Sequence, residues 1–231
     1  HATSQVPAKK TRFITYCQRI AAILLLPAII AIVALMMKKD HQEPLIAYNE
    51  VTAPYGMVSS LTLPDSSKVW LNAGSTLKYP AAFTSNVREV EMSGEAYFEV
   101  HADKEHPFIV NTGDLKVTAT GTAFNICSFA KAQEEVITLV TGKVAVSQEN
   151  NIKHLLPGQQ LNYQRASKSM EITDIDTYKY ISWKDGILAF RDDPLKSIFN
   201  RLEQVYQVRF ILKDTSINPV SYTHLRAHET K

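Results

Sequence analysis

The feature that most constrains the fold is an unbroken apolar run from Ile20 to Met37, eighteen residues without a charged or polar side chain. As a helix it would be about 27 Å long, close to the roughly 30 Å hydrocarbon core of a bilayer. The run is longer than the apolar region of a signal peptide and ends at Lys38 and Lys39, without a small-x-small cleavage site. Pro27 is tolerated inside a membrane helix. We therefore predict one transmembrane helix at residues 20–37.

The charges that flank this run predict its orientation. Four basic residues precede it and two follow it, namely Lys9, Lys10, Arg12 and Arg19, then Lys38 and Lys39. Because basic segments stay on the cytoplasmic side, residues 1–19 are predicted to be cytoplasmic. The chain after a linker at residues 38–47 would lie outside the membrane. Cys17 and Cys127 would then lie on opposite sides of it and could not form a disulfide.

The composition argues against several broad classes of protein. Apolar residues make up 45% of the 231 residues, and 25 Lys and Arg against 23 Asp and Glu leave a net charge of +2, so the chain is not intrinsically disordered. The small positive excess lies mostly in the first 39 residues and gives no support for nucleic-acid binding. Two cysteines are too few for a disulfide-stapled scaffold.

Residues 48–176 predict an all-β domain. Leu61 and Leu63, then Val69 and Leu71, alternate with polar residues around a Pro-Asp-Ser turn, which is typical of a hairpin. A second alternating stretch, Arg88–Met92, is interrupted by Gly94 and continues at Ala96, Phe98 and Val100. Further short strands are predicted at 108–111, 115–119, 124–129, 136–140, 144–147, 155–163 and 170–175. This spacing favours a sandwich or a short solenoid, and the sequence leaves both open.

The pattern changes in residues 177–219. Ile187–Phe190 predicts a short strand, and Asp193 and Pro194 predict a helix start with Asp193 as N-cap and Pro194 at N1. One helix face would carry Leu195, Ile198, Phe199, Leu202, Val205 and Tyr206. Val208–Leu212 predicts a second strand. We expect this segment to begin a small α+β domain that is cut short.

The two ends of the chain do not resemble native protein ends. The chain starts at His1 rather than Met, which indicates a fragment, and residues 220–231 resemble the translated reading frame of a transposon-type sequencing adapter. We expect the adapter-like segment to be an artefact, so His224 and His228 are not interpreted as metal ligands despite their i, i+4 spacing.

The densest group of chemically useful side chains is Glu99, His101, Asp103, Glu105 and His106. On an extended strand the first three share a face, which could suit zinc or a general acid and base. No closed ligand set or nucleophile lies nearby, so we interpret the group as a solvated strand end running into a charged turn. His41 and His154 are isolated and interpreted as surface residues.

Other catalytic patterns are missing from the sequence. It contains no phosphate-binding Gly-rich loop, no CxxC pair and no HExxH, and Ser59 and Ser60 lie on a strand rather than on a nucleophile elbow. Cys127 alternates within an apolar strand and is interpreted as a packing residue. A sugar-stacking role for Trp70, Tyr97 and Trp183 is weighed against packing, and packing is favoured. We predict no catalytic, cofactor or metal site, and no enzyme.

Six phrases together resemble one known family, the FecR-type anti-sigma factors in the form common among Bacteroidetes. They are Thr62–Ser75, Arg88–Val100, Pro107–Val110, Gly121–Ile126, Leu139–Val144 and Leu156–Gln160. The resemblance extends over roughly residues 48–212. The segment after Trp183 resembles the start of that family's C-terminal domain, which is related to the signalling domains of secretins and TonB-dependent transporters.

The resemblance implies a signalling function without a cofactor. Such proteins cross the inner membrane once, bind an extracytoplasmic-function sigma factor on the cytoplasmic side, and receive a periplasmic signal from an outer-membrane TonB-dependent transporter. The signal commonly acts through a membrane protease and controls transcription of uptake genes. Only 19 residues precede the apolar run, so we expect the sigma-binding part to be missing from this fragment and assign it no residues.

Two alternatives from other classes remain at this point. One is a membrane-anchored periplasmic β-sandwich that binds carbohydrate or another envelope ligand, and the other is an envelope hydrolase on a β scaffold. For the favoured reading, the predicted strand Val208–Leu212 suggests β-augmentation by a strand of the transporter.

Overall fold

The computed structural model describes residues 19, 25, 27–33, 47–190, 193–211 and 225–226. The chain divides into two compact units, residues 1–45 and 46–231. In the first unit, residues 27–33 are helical and exposed. Within the described residues, no helix has the length and apolar character needed to cross a bilayer. Most of the predicted transmembrane segment at 20–37 lies outside the described residues.

The described part of the second unit is built mainly from thirteen strands that form two sheets. The strands are β1 (Tyr48–Thr52), β2 (Ser59–Thr62), β3 (Lys68–Leu71), β4 (Thr76–Pro80), β5 (Arg88–Glu99), β6 (Phe108–Asn111), β7 (Lys116–Ala119), β8 (Ala123–Ser128), β9 (Glu134–Thr141), β10 (Val144–Gln148), β11 (Asn151–Leu155), β12 (Gln159–Gln164) and β13 (Ser169–Asp174). Sheet A has the order β11-β10-β7-β6-β5-β4-β1, and sheet B has the order β13-β12-β9-β8-β5-β3-β2. The hairpin predicted around residues 64–67 is confirmed by the antiparallel pair β2–β3.

Strand β5 belongs to both sheets. Its first half pairs with β4 and β6 in sheet A, and its second half, from Gly94 onward, pairs with β3 and β8 in sheet B. Gly94 has a φ of +104°, and a Cβ there would lie 2.7 Å from Ser75 Cα. Glycine therefore allows the strand to turn the corner against Ser75, and what the sequence pattern indicated as an interruption is a bend inside one continuous strand.

The two sheets enclose one apolar core. Inward residues of sheet A, such as Leu77, Val90 and Phe108, pack in the same cluster as Phe98, Phe124 and Leu139 of sheet B. All strand pairs of the two sheets are antiparallel except β5–β6. Of the two predicted architectures, the structure has the sandwich, and because β5 belongs to both sheets, the thirteen described strands also form one nearly closed hydrogen-bonded sheet.

The sequence pattern missed some strands of this sandwich. β1 and β4 pair with each other and carry too few alternating apolar residues to be recognised. The strand predicted at 155–163 corresponds to β12, which follows a turn at Pro157 and Gly158, whereas β11 was missed apart from its last residue, Leu155. The remaining predicted strands are confirmed, with ends that differ by at most two residues.

Residues 178–190 and 193–206 form a layer on the outer face of sheet B. The layer contains helix α1 (Tyr178–Ile181), a 3-10 turn (Ser182–Asp185), strand β14 (Ile187–Leu188) and helix α2 (Leu195–Tyr206). We call it the C-terminal layer. Ile198, Leu202 and Val205 of α2 pack toward the sheet, as the predicted helix face requires. β14 pairs with β15 (Leu225–Arg226), a described part of the adapter-like segment.

Two predictions for this layer are wrong. Pro194 is the N-cap of α2 and Leu195 is the first helical residue, because Pro194 has an extended ψ of 138° and Asp193 pairs instead with Lys179. Residues 208–211 form no strand, and Leu212 lies outside the described residues. Phe210 stacks on Phe199 of α2 with ring centroids 4.5 Å apart, so this segment folds back on the helix instead of extending along a sheet.

Candidate functional site

The charged group identified in the sequence occupies two separate places. Glu99 and His101 line an open cleft of about 360 Å³. Asp103 and His106 pair with each other, with Oδ2 and Nδ1 2.8 Å apart, and the backbone N–H of Glu105 donates to Asp103 Oδ1. The side-chain hydrogen bond with His106 lowers the pKa of the Asp103 carboxyl. Asp103 thus organises a turn, as expected for the solvated end of a strand.

The described residues contain no metal-binding arrangement. Among them, no group of three or more His, Cys, Asp or Glu side chains could hold a metal ion. His154 lies exposed on the edge strand β11. The other candidate histidines, His41, His224 and His228, lie outside the described residues, as does Cys17.

The cleft lies where four strands of sheet B end. β3 and β8 begin at its edge, and β5 and β9 end there. Six polar side chains line it, those of Ser66, Lys68, Glu99, His101, Thr122 and Thr141. The lining therefore carries one cation, one anion, an imidazole and three hydroxyls.

A buried arginine holds the loops beside this cleft. Arg88, at the start of β5, donates from Nη1 to Asp65 Oδ2 at 2.6 Å in the β2–β3 turn. Its other hydrogen bonds go to the backbone oxygens of His101 at 3.0 Å, His106 at 2.8 Å and Asp103 at 3.3 Å. Because β5 bends at Gly94, these groups near its far end lie within reach of its first residue. The Arg88–Asp65 pair therefore joins the two sheets.

The aromatic residues on the outer face of sheet B are covered by the C-terminal layer. Trp183 is 2% exposed and Tyr97 is 4% exposed, and Trp70 contacts Tyr97 with ring centroids 5.7 Å apart. Burial, followed by the charges of Glu99 and Asp185, raises the pKa of Tyr97 to about 12. The packing interpretation of these aromatics is confirmed, and they offer no stacking platform for a sugar.

A chain of buried polar contacts connects the layer to the sandwich. Trp183 Nε1 donates to Asn125 Oδ1 at 3.2 Å, and Asn125 Nδ2 donates to Glu95 Oε1 at 3.0 Å. The second carboxylate oxygen of Glu95 accepts from Asn72 Nδ2 at 2.7 Å. Glu95 is 7% exposed, and its buried carboxylate accepts hydrogen bonds from two neutral side-chain amides. These hydrogen bonds offset the cost of burying the carboxylate.

The cysteine and serines considered as nucleophiles are not activated. Burial raises the pKa of the Cys127 thiol well above its usual value, so the thiol stays protonated on β8. Ser59 and Ser60 lie on β2 as expected.

Sequence reasoning missed Arg88, Glu95 and Asn125 as organising residues. A signal was available for Arg88, since it falls in phase with Val90 and Met92, which face the core. Glu95 and Asn125 face the opposite side of sheet B, which would be exposed without the C-terminal layer, so their burial could not be inferred from strand patterns.

Comparison with known proteins identifies the family. A family model described as FecR protein matches residues 49–152. The structure is similar to a 2.50 Å crystal structure of a protein from Parabacteroides distasonis ATCC 8503 that is assigned as an anti-sigma factor. The two superpose with a TM-score of 0.72 and 31% sequence identity, over 79% of this chain and 86% of the other. This chain belongs to the FecR-type anti-sigma factor family. A 1.65 Å structure with the same assignment gives a TM-score of 0.71 and 31% identity, over 78% and 86% of the two chains. No curated protein sequence matches the chain.

The family is regulatory, and the anti-sigma function implies a sigma factor as partner. In this FecR protein, the family match ends within β11, whereas the similarity to the crystal structures extends over more than three quarters of the chain.

Proposed function

We propose that the protein is a single-pass inner-membrane anti-sigma factor that relays a periplasmic signal to an extracytoplasmic-function sigma factor. The signal would come from a TonB-dependent outer-membrane transporter, would act through a membrane protease, and would control uptake genes in a Bacteroidetes cell. The 31% identity to an assigned anti-sigma factor over most of both chains carries this proposal. The apolar run Ile20–Met37 supports the anchor.

The geometry supports signalling by binding rather than by chemistry. The buried charged side chains of Arg88 and Glu95 are both engaged in hydrogen bonds within the protein. Exposed apolar side chains instead follow α2, with Val208 48% exposed and Ile211 81% exposed. Because residues 208–211 form no strand, we place the transporter contact on these side chains and not on β-augmentation of Val208–Leu212.

Sigma-factor capture tests the regulatory part of the proposal. The untruncated protein would be co-expressed with the sigma factor encoded beside it and purified from membranes. We expect capture of the sigma factor, and loss of capture when the segment before Ile20 is deleted. A correctly inserted protein that captures no sigma factor would refute the anti-sigma function for this chain.

Reporter fusions test the topology separately. Alkaline phosphatase, which is active only in the periplasm, would be inserted after residue 15 with the rest of the chain following it, or fused after residue 176. We expect activity only from the second fusion, because the basic residues before Ile20 favour a cytoplasmic N-terminus. Activity from the first fusion would contradict the proposed orientation.

Substitution at the exposed apolar segment tests the transporter contact. Ile211→Asp in the untruncated protein should weaken binding to the periplasmic signalling domain of the transporter about tenfold or more, since a charge would enter an apolar contact. Leu156→Asp is the matched control, because Leu156 is 55% exposed between β11 and β12. Equal effects of both substitutions would place the contact elsewhere.

A further inference from the structure

We propose that the cleft at the end of sheet B binds a small zwitterion, a free amino acid or a short peptide with both termini unblocked. This binding site is independent of the sigma-factor and transporter contacts. It rests on the charge arrangement, the rigidity and the unpartnered polar groups of the cleft.

The cleft presents a cation and an anion that do not neutralise each other. Lys68 and Glu99 are register partners on β3 and β5, yet their side chains form no ion pair. Lys78 and Glu91 occupy an equivalent pair of positions on β4 and β5 and do form one, at 3.2 Å. A ligand with an ammonium and a carboxylate would meet one complementary charge at each of Lys68 and Glu99.

The remaining polar side chains of the cleft also lack partners. Within the described chain, the side chains of Ser66, His101 and Thr141 make no hydrogen bond. Thr122 is 5% exposed in the cleft wall, and its Oγ1 has no hydrogen-bond partner. Thr122 Oγ1 is enclosed by protein, but Ser66, His101 and Thr141 are exposed, so a bound polar group could form hydrogen bonds with them without breaking an internal one.

The walls of the cleft are fixed before any ligand binds. A Cβ on Gly121 would lie 2.9 Å from Ala102 Cα, and one on Gly142 would lie 2.8 Å from Gly121 O. The loops that carry these residues therefore touch backbone to backbone. On the other side, Arg88 holds the backbone of His101, and His101 N donates to Ser67 Oγ at 3.0 Å. A preorganised site loses little conformational entropy on binding.

The lining disfavours other ligand classes. Glu99 would repel an anion such as phosphate, which Lys68 alone would have to hold. No aromatic side chain lines the cleft, so a sugar ring would have no stacking surface. The volume of about 360 Å³ fits an amino acid or dipeptide.

NMR titration of the ¹⁵N-labelled full chain in detergent micelles tests the proposal. The probes are L-alanine and L-alanyl-L-alanine, compared with N-acetyl-L-alanine, L-alanine amide, inorganic phosphate and glucose. We expect saturable shifts at amides of residues 66–68, 99–102 and 121–123, with the singly charged analogues binding about tenfold more weakly.

Charge-removing variants locate the binding. Lys68→Met and Glu99→Gln should each weaken dipeptide binding about tenfold, whereas the matched pair Lys78→Met and Glu91→Gln should leave it unchanged. Absence of saturable shifts at millimolar probe would overturn the proposal. So would equal binding of phosphate, or equal losses in the two pairs of variants. Sigma-factor capture is measured separately, so either proposal can fail alone.

Discussion

Single residues determine how the two sheets are joined. Gly94 bends β5 from sheet A into sheet B, and Arg88 bridges the two ends of the bent strand through Asp65 and the loop after β5. The bend also explains how the parallel pair β5–β6 is connected by only residues 100–107. A parallel connection usually needs a dozen or more residues, but here the end of β5 already lies near its start.

Gly94→Ala should destabilise the protein by about 2–4 kcal/mol, because a positive φ and a clash with the Ser75 backbone act together. Gly113→Ala is the matched control, since Gly113 has a φ of +98° but no atom within 4 Å of the added Cβ. We expect it to cost about 1 kcal/mol. Urea denaturation measures both, and equal costs would show that the close approach to Ser75 is unimportant.

Arg88→Met should cost about 3–5 kcal/mol, because it leaves the Asp65 carboxylate buried without its counter-charge. Three loop carbonyls would also lose their donor. Lys78→Met removes an exposed ion pair with Glu91 and should change the free energy of unfolding by less than about 1 kcal/mol. Comparable costs in the two variants would contradict a bridging role for Arg88.

Tyr97 should make the fold sensitive to alkaline pH. Its pKa is raised to about 12 in the folded state, so the unfolded chain loses this proton first, near pH 10. The stabilisation from neutral Tyr97 is complete below pH 10 and is lost as the pH rises to about 12. Tyr97→Phe should therefore gain on the order of 2 kcal/mol relative to the parent protein across this window.

Chemical denaturation at pH 9, 10 and 11 would measure this difference. Tyr55→Phe serves as control, because the Tyr55 side chain is exposed. If the difference between Tyr97→Phe and the parent protein stayed constant over the range, the burial of the phenol would have no role in the pH dependence.

At the scale of elements, α2 is held to sheet B by a narrow apolar face. Ile198 is 3% exposed, whereas Leu202 and Val205 are only partly buried. Ile198→Ala should therefore loosen the C-terminal layer at a cost of about 2–4 kcal/mol, whereas Lys196→Ala on the exposed face should have little effect. Acrylamide quenching of Trp183 fluorescence, in a Trp70→Phe background, would report the loosening. Unchanged quenching in Ile198→Ala would show that other contacts hold the layer.

Sequence patterns correctly predict those helices and strands that have one buried face and one exposed face. The β2–β3 hairpin and the apolar face of α2 follow from alternation and helical spacing, since each has one buried and one exposed face. This reasoning fails for β5 at Gly94, because a glycine occurs both where a strand ends and where a continuous strand bends from one sheet into another. Val208–Ile211 looks like a strand from composition, but the stacking of Phe210 on Phe199 overrides that preference.

Of the residues that line the cleft, the sequence pattern identified Glu99 and His101 as candidates but did not identify the residues that lie beside them in space. Lys68, Thr122 and Thr141 come from three other strands or loops, and only the register of sheet B brings them together. Such a site depends on long-range pairing that no local pattern encodes. The covering of sheet B by the C-terminal layer was unforeseen for the same reason.

At the scale of the whole second unit, the layer and the sandwich should differ in stability. Among the described residues, the main cluster contains twenty-four buried apolar residues, and the cluster under the layer contains five. Hydrogen exchange should therefore show residues 178–206 opening at a lower free energy than β3, β5 and β8. Identical opening free energies would mean that the layer and the sandwich unfold together.

The shared strand β5 also determines the order in which the sandwich can assemble. Its four neighbours are β3, β4, β6 and β8, so neither sheet can be completed until the chain has been synthesised well beyond β5. Of the two strands that pair with its second half, β3 is synthesised before β5 and β8 after it. A growing chain therefore holds half-built sheets with open edges until residue 128 and later strands emerge. During biosynthesis, protection from premature pairing matters most over that interval.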